Sequence, residues 1–167
     1  MRLAFLALVG LLLSSCATVQ RYDAAADVHA LLISIRDNDR EAFERHVDRT
    51  ALKRQIEGRL VDETRKSGAP TVLQGLGIAL AQPLSALAGE VLVQPRVFRG
   101  VAEYYGYRPT DPIPGSLVIG QALRPIGGGR VCAAAKSGGP CVLVFTLDDG
   151  VWRLSGFEGE LSLLRIR

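Results

Sequence analysis

Apolar residues recur at helical spacing between residues 23 and 66. Val28, Leu31, Leu32 and Ile35 stand at i, i+3, i+4 and i+7, which predicts a helix from Asp23 with one buried face. The polar residues 37–39 end this helix. A short second helix is predicted to follow, and a third from 50 to about 66.

The second helix is predicted to begin with a capping box. Asn38 is followed three residues later by Glu41, the spacing at which a polar side chain and an acidic one cap each other's backbone N–H groups. Phe43 and Val47 are then expected on its apolar side. The second helix is therefore predicted to open at Asn38.

The segment from Ser67 to Gly89 carries no charged residue. Five leucines between Leu73 and Leu87, together with Val91 just after the segment, fall within one arc of a helical wheel, whereas a helix exposed to lipid would be apolar all round. The pattern favours a packed helix, kinked at Pro83. A membrane-embedded or interfacial helix is the alternative.

A further short helix is predicted with Pro95 in its first turn and Gly106 just past its end. Phe98, Val101, Ala102 and Tyr105 are expected on its buried side. The residues from 108 to 129 include four prolines and five glycines. They are interpreted as a long connection with room for one short strand at 117–119.

Three strands are predicted in the last third, over Arg130–Ala135, Cys141–Leu147 and Val151–Phe157. Asp149-Gly150 between the last two indicates a tight hairpin, because both turn positions tolerate positive φ. Helices followed by an antiparallel meander indicate an α+β fold, with N-terminal helices packed on a C-terminal three-stranded antiparallel sheet.

The amino terminus has the form of an export signal. Arg2 precedes an apolar run from Leu3 to Leu13, which is shorter than the ~20 residues that span a bilayer. Leu13-Ser14-Ser15-Cys16 resembles the lipobox of bacterial lipoproteins, whose cysteine is acylated after cleavage just before it. An ordinary secretory signal with an incidental cysteine is the alternative.

This resemblance implies a division of the chain. Residues 1–15 are predicted as the signal peptide, 16–22 as a lipidated tether and 23–167 as a single α+β domain. Acyl chains on Cys16 would hold the chain to a membrane, with the domain in the periplasm. Ala17, standing where an Asp would resemble an inner-membrane retention signal, favours the outer membrane.

Charge argues against a nucleic-acid partner. The chain has 20 Lys+Arg against 17 Asp+Glu, a formal net charge of +3, and the charges are dispersed. With Cys16 used for acylation, Cys132 and Cys141 remain, and an even number outside the cytoplasm suggests a disulfide. A hairpin centred between Lys136 and Ser137 would place the two opposite each other. Two reduced, buried cysteines are the alternative.

Candidate chemistry is sparse. The two histidines are far apart in sequence and no metal-ligand spacing or nucleophile motif is present, so no catalytic residue, metal or cofactor is predicted. The remaining candidate is a tyrosine–arginine group, because exposed tyrosines beside arginines suit partner binding. It comprises Tyr104, Tyr105, Tyr107 and Arg108. Core packing at a helix end is the alternative explanation.

The stretch DNDREAFERHVDRTALKRQIEGRL, residues 37–60, resembles the opening of the bacterial domain-of-unknown-function 2939 family. The features that carry the resemblance are Val47-Asp48, Leu52-Lys53, Pro95 at the start of a later helix and Trp152-Arg153-Leu154 in a terminal strand. Arg49 departs from the family, which often has Phe there. The resemblance implies no activity.

The sequence therefore predicts a lipid-anchored, non-enzymatic lipoprotein that has a structural role or binds another envelope protein. The alternative is a carrier of a small molecule or lipid, with a cavity between the Leu73–Val91 helix and the sheet.

Overall fold

A computed structural model describes residues 2–66, 91–104, 106–134 and 138–158, and for residues 2–17 it describes the backbone alone. Five helices precede four strands in the described ranges, which confirms the α+β class. The helices are α1 (Arg2–Asp37), α2 (Arg40–Arg45), α3 (Arg49–Lys66), α4 (Pro95–Tyr104) and α5 (Ser116–Ala122). The strands are β1 (Leu123–Gly127), β2 (Arg130–Ala134), β3 (Cys141–Asp148) and β4 (Val151–Phe157).

The chain forms two compact units. The sheet unit consists of Met1–Ile33 together with Pro112–Arg167, and the helical unit consists of Ser34–Asp111. Helix α1 runs through the sheet unit and ends in the helical unit. The predicted division into signal peptide, tether and domain at residues 15 and 22 stays a prediction.

Helix α1 begins at Arg2, not at Asp23 as predicted from the apolar spacing. The backbone is helical through residues 16–22, the segment interpreted as a tether. No proline or glycine stands between residues 11 and 57, so nothing in the local sequence breaks the helix before residue 37. The apolar face that marked Asp23 is the part of the helix that packs, with Ala24, Ala25, Val28 and Leu31 buried.

In the helical unit, Asn38 ends α1 and does not open α2. Asn38 takes a positive φ of 56°, and the N–H groups of Asn38 and Asp39 donate to the carbonyls of Ile35 and Ser34 at 3.4 and 2.8 Å. This is a Schellman ending with asparagine in the left-handed position. Asp39 is the N-cap of α2, since its carboxylate accepts from the Ala42 N–H at 3.0 Å. The predicted Asn38 capping box is therefore wrong by one residue.

Helix α3 is capped in the same way. The carboxylate of Asp48 accepts the N–H of Ala51 at 2.9 Å, so α3 begins at Arg49. In the helical unit, Phe43 of α2 meets Phe98 of α4 edge to face, with ring centroids 5.3 Å apart. Helix α4 starts at Pro95 as predicted, but Val101, expected on its buried side, is exposed.

The sheet is an antiparallel meander of four strands in the order β1-β2-β3-β4, so the prediction of three strands is wrong. The added strand, β1, contains Pro125 and ends at Gly127, and Gly128 and Gly129 follow it; all three glycines take positive φ. Proline is tolerated there because β1 is an edge strand, whose outer N–H groups need no partner strand. These same residues made the region resemble a loop in the sequence.

The connection that was predicted to hold a short strand at 117–119 contains helix α5 instead. Ile119 and Gly120 are its buried positions, whereas Leu117 and Val118 are exposed. Gly120 lies against the ring of Tyr22 on α1, and a Cβ atom at this position would clash with Cδ1 and Cε1 of that ring. A glycine is thus required for α5 to approach α1 so closely.

The β3–β4 hairpin agrees with the sequence. Asp149 and Gly150 both take positive φ, 49° and 77°, as a type I′ turn requires. Trp152 and Leu154 alternate with exposed or half-buried neighbours along β4 and lie on one face with Phe145 of β3. This face carries the core of the sheet unit.

Cys132 and Cys141 form a disulfide with their Cα atoms 5.5 Å apart. The predicted register is wrong, because Cys132 pairs with Val144 and Cys141 pairs with Ala134. A bulge between Ala133 and Ala134 shifts the ladder and brings the two cysteines within bonding distance. With Val144 they form a buried cluster that Ile126 borders.

Several predictions fall outside the described residues. They include the Leu73–Val91 helix apart from its last residue, and the cavity proposed beside that helix. They also include residues 67–70 after the third helix, Tyr105, residues 135–137 at the β2–β3 turn and the side chain of Cys16. Within the described ranges, no helix combines the length and the apolar character needed to cross a membrane.

Candidate functional site

The predicted tyrosine–arginine group lies at the end of α4 and in the turn that follows it. Tyr104 is 58% exposed at the last position of the helix. Gly106, with φ 96°, ends α4 in a Schellman motif, and Tyr107 donates its N–H to the carbonyl of Ala102 at 3.0 Å. The turn at Gly106 lies between Tyr104 and the last two members of the group, Tyr107 and Arg108.

Tyr107 is half-buried, and its hydroxyl oxygen is buried without a hydrogen-bond partner among the described residues. Arg108 is exposed, and its backbone N–H donates to the carboxylate of Asp111 at 2.9 Å. The group thus divides into Tyr104 and Arg108, which a partner could reach, and Tyr107, which belongs to the packing. Tyr105 lies outside the described residues.

Two arginines, Arg36 and Arg99, make contacts at the C-terminal end of α1. Arg36 donates to both carboxylate oxygens of Asp37 at 2.7 and 3.0 Å. Arg99 of α4 donates to the backbone carbonyl of Arg36 at 3.4 Å and lies 3.6 Å from the Glu103 carboxylate. A guanidinium at a helix C-terminus satisfies carbonyls that have no partner within the helix. These contacts are structural.

The Arg36–Asp37 pair shifts both pKa values. The hydrogen bond from Arg36 holds the pKa of Asp37 below its ordinary value, although desolvation acts in the opposite direction, and the same hydrogen bond raises the pKa of Arg36. Because the folded pKa of Asp37 is lowered, its stabilisation is present above the ordinary carboxyl pKa and is lost as the pH falls through the lowered one. The pair is exposed, so the effect on stability is small.

A shallow depression of about 310 Å³ adjoins the start of α4 in the helical unit. It is lined by Asn38, Arg40, Gln94, Pro95 and Arg96. Arg40 is engaged with Glu44 at 2.8 Å, which compensates its charge. The depression has two cations and two amides but no carboxylate or histidine, so its lining offers no general base.

Metal and acid–base chemistry find no matching geometry in the described part of the chain. No group of three or more His, Cys, Asp or Glu side chains there could hold a metal ion. His29 of α1 contacts the residues just before α5, with its Nδ1 2.9 Å from the carbonyl oxygen of Pro114.

A carboxylate pair on α1 that sequence reasoning missed holds Trp152. The indole Nε1–H of Trp152 donates to Asp23 at 2.8 Å, and its backbone N–H donates to Asp27 at 2.8 Å. The two aspartates stand at i and i+4, so they lie on one side of α1. That spacing was visible in the sequence, but nothing in the sequence indicated that the two carboxylates contact Trp152.

Arg124 of β1 lies over the disulfide on the opposite face of the sheet. Its Nη2 is 3.3 Å from Sγ of Cys141 and 3.8 Å from Sγ of Cys132. In the ladder Arg124 is the direct partner of Cys132. A guanidinium here places positive charge where a thiolate leaves when the disulfide is attacked.

We expect replacement of Arg124 with methionine to slow reduction of this disulfide by dithiothreitol about two- to fivefold, because the departing thiolate loses its cation. The appearance of free cysteine thiols in the protein with time measures the rate of reduction. Arg54→Met is the matched control, since Arg54 is also exposed but lies on α3 in the helical unit. Equal rates in the wild type and in Arg124→Met would show that the contact has no electrostatic effect.

The similarity of this chain to known proteins lies in its helical part. The family model described as "Protein of unknown function (DUF2939)" matches residues 6–100, more than half of the chain. The chain belongs to the DUF2939 family. No curated protein and no solved structure is significantly similar to it. The family description names no activity, and the DUF2939 match ends before the sheet begins.

The features that suggested DUF2939 membership have structural roles. Val47 and Leu52 are buried, Asp48 caps α3, and Pro95 is the buried first residue of α4. Trp152-Arg153-Leu154 lies beyond the matched residues. Two of these features, Asp48 and Pro95, lie at the starts of α3 and α4 of this DUF2939 protein.

Proposed function

We propose that this DUF2939 protein is a bacterial lipoprotein, acylated at Cys16, whose folded part lies in the periplasm and binds another envelope protein. The observation that carries the proposal is the lipobox-like Leu13-Ser14-Ser15-Cys16 directly after a basic and an apolar region. Acylation on the cysteine with two or more chains would give stable attachment. Ala17 favours the outer membrane over the inner.

Helix α1 supports a close attachment of the domain to its anchor. The backbone is helical from Cys16 to Tyr22, where the side chain already packs on Gly120. Six residues of helix span about 9 Å. The folded part would therefore stay close to the membrane to which Cys16 is attached.

A partner-binding role is supported by the exposed side of α4. Val101 and Tyr104 stand at i and i+3, so they lie on the same side of the helix, and they are 44% and 58% exposed. Arg108 follows the end of the helix and is exposed too. Exposed aromatic and aliphatic side chains on one side of a helix are the kind of surface that protein partners use.

Acylation is tested by replacing Cys16 with serine in the full-length chain. We expect the wild type to partition into the detergent phase and to gain the mass of acyl chains at residue 16. Cys16→Ser should carry no acyl chain. The double variant Cys132→Ala/Cys141→Ala is the matched control, since it removes cysteines but keeps the anchor. Unmodified wild-type protein with its residue 16 free would contradict the proposal.

The partner is sought by crosslinking in intact envelopes followed by mass spectrometry. A protein captured by the wild type should be lost from Val101→Asp/Tyr104→Asp while acylation stays normal. Leu147→Asp, which changes an exposed leucine of the sheet unit, should still capture it. A capture pattern identical in all three chains would contradict binding through α4.

A further inference from the structure

The sheet unit exposes an uncharged segment next to the amino-terminal helix. No charged residue stands between Asp111 and Arg124. Within this segment, Leu117 and Val118 on α5 are 72% and 58% exposed, the side of the helix opposite its buried Ile119 and Gly120. Two adjacent aliphatic side chains held in water on an uncharged helix indicate a surface that something apolar covers.

Two contacts fix this segment along α1. At its start, the carbonyl of Pro114 lies 2.9 Å from Nδ1 of His29, and at its end Gly120 packs on the ring of Tyr22. As the segment runs from 114 to 120, its contacts on α1 move from residue 29 back to residue 22. The segment is therefore antiparallel to α1 and runs in the direction of Cys16.

The same part of α1 carries a third exposed aliphatic residue. Val19 is 67% exposed and stands three residues before Tyr22, one helical turn nearer to Cys16. Cys16 itself lies one more turn along the helix. An acyl anchor at Cys16 would thus enter the bilayer within about two helical turns, roughly 11 Å, of the contact between Tyr22 and α5.

We propose that the outer side of α5, with Leu117 and Val118, and Val19 of α1 contact the interface of the phospholipid bilayer that holds the acyl chains of Cys16. The inference rests on the proposed acylation. It adds that the attachment is oriented: the sheet unit meets the membrane through one defined surface, the α5 surface.

Geometry favours the bilayer over a second protein as the occupant. The anchor would hold the α5 surface beside lipid permanently, at a high effective concentration, whereas a protein partner would have to enter between the domain and the membrane. An uncharged helix with exposed aliphatic residues suits the boundary between headgroups and acyl chains. The α5 surface sets orientation, because the acyl chains alone provide stable attachment.

The test is photo-crosslinking to lipid. The full-length chain is expressed, purified from envelopes and reconstituted in vesicles of phosphatidylethanolamine and phosphatidylglycerol that contain a phospholipid with a diazirine in its acyl chain. After illumination, mass spectrometry of the peptides locates the lipid adducts. Intact mass on the same sample reports whether Cys16 is acylated. We expect adducts within residues 112–122.

Variants make the result specific. Leu117→Asp/Val118→Asp should reduce adducts in 112–122 about tenfold, because two aliphatic side chains no longer partition into the interface. Leu147→Asp, at an exposed leucine of β3, should leave them unchanged. Circular dichroism of each variant reports whether the fold is kept, and the wild-type adduct map tests the proposal even if the double variant unfolds.

Each outcome decides a different claim. An acylated chain without adducts in 112–122, or with adducts that the double variant keeps, overturns the α5 surface and leaves the lipoprotein proposal intact. A chain without acyl mass overturns the lipoprotein proposal and the inference with it. Adducts in 112–122 on an acylated chain, lost in Leu117→Asp/Val118→Asp alone, support both.

Discussion

Replacing Trp152 with alanine should lower the free energy of unfolding by about 3–5 kcal/mol, the range for removing a large aromatic side chain from a core. Trp152 is 1% exposed and is among the largest fully buried side chains of the described chain. The substitution leaves a cavity beside α1 and removes the indole N–H from Asp23. Urea denaturation followed by circular dichroism measures the loss, since fluorescence disappears with the chain's single tryptophan.

A double-mutant cycle separates packing from hydrogen bonding. Trp152→Phe keeps most of the ring volume, and Asp23→Ala removes the acceptor, so the two together report the coupling between indole and carboxylate. We expect a coupling energy of about 1 kcal/mol, at the low end for a charged acceptor because Asp23 is exposed. Asp62→Ala, an exposed aspartate on α3, is the matched control and should show no coupling with Trp152→Phe.

The cycle also tests whether α1 is fixed to the sheet as the structure has it. A zero coupling energy between positions 23 and 152 would contradict the hydrogen bond. A loss below about 1 kcal/mol in Trp152→Ala would contradict its burial against α1, because a core tryptophan cannot be removed at so small a cost.

Removing the disulfide should lower the free energy of unfolding by about 2.5 kcal/mol, the value for closing a loop of this length in the unfolded chain. The two cysteines are nine residues apart in sequence. The double variant Cys132→Ala/Cys141→Ala is preferred to serine, because alanine adds no polar group to the buried apolar cluster. Urea denaturation at constant pH measures the change.

Reduction provides an independent check on the same number. Dithiothreitol should destabilise the wild type by a similar amount and leave the double alanine variant unaffected. If the wild type is insensitive to the reductant and unfolds at the same urea concentration as the variant, the bond contributes nothing to stability.

The two proposed surfaces lie in different units and have different proposed roles. The α5 surface, in the sheet unit, is proposed to contact the membrane. The exposed side of α4, in the helical unit, is proposed to bind a partner. Because they belong to different units, substitutions on one should leave the other unaffected. The variants Leu117→Asp/Val118→Asp and Val101→Asp/Tyr104→Asp test this independence directly.

Local patterns predicted those features whose cause is local. The Asp149-Gly150 turn needs two residues that accept positive φ, and Pro95 needs a helix start, so both could be found in the sequence. The α+β class followed from the change of period from helices to strands. The start of the first helix at Asp23 was wrong because periodicity marks where a helix packs, not where its backbone begins.

Other features depend on contacts between distant residues. β1 contains a proline and glycines that read as a loop, and only pairing with β2 makes it a strand. The cysteine register could not be predicted, because the bulge beside Ala134 shifts the ladder. Gly106 turns the chain between Tyr104 and Tyr107, and the binding role of the tyrosine–arginine group stays a prediction.

By itself the sequence determined the class of the fold, the closing hairpin, the pairing of Cys132 with Cys141 and the lipobox-like motif at Cys16. Each depends on residue types at short spacing, which the chain carries in its order. The tertiary structure decided that Asp23 and Asp27 hold Trp152, that Arg124 covers the disulfide and that α5 lies along α1 with Leu117 and Val118 outward. These juxtapose residues up to 129 positions apart, which only packing can bring together.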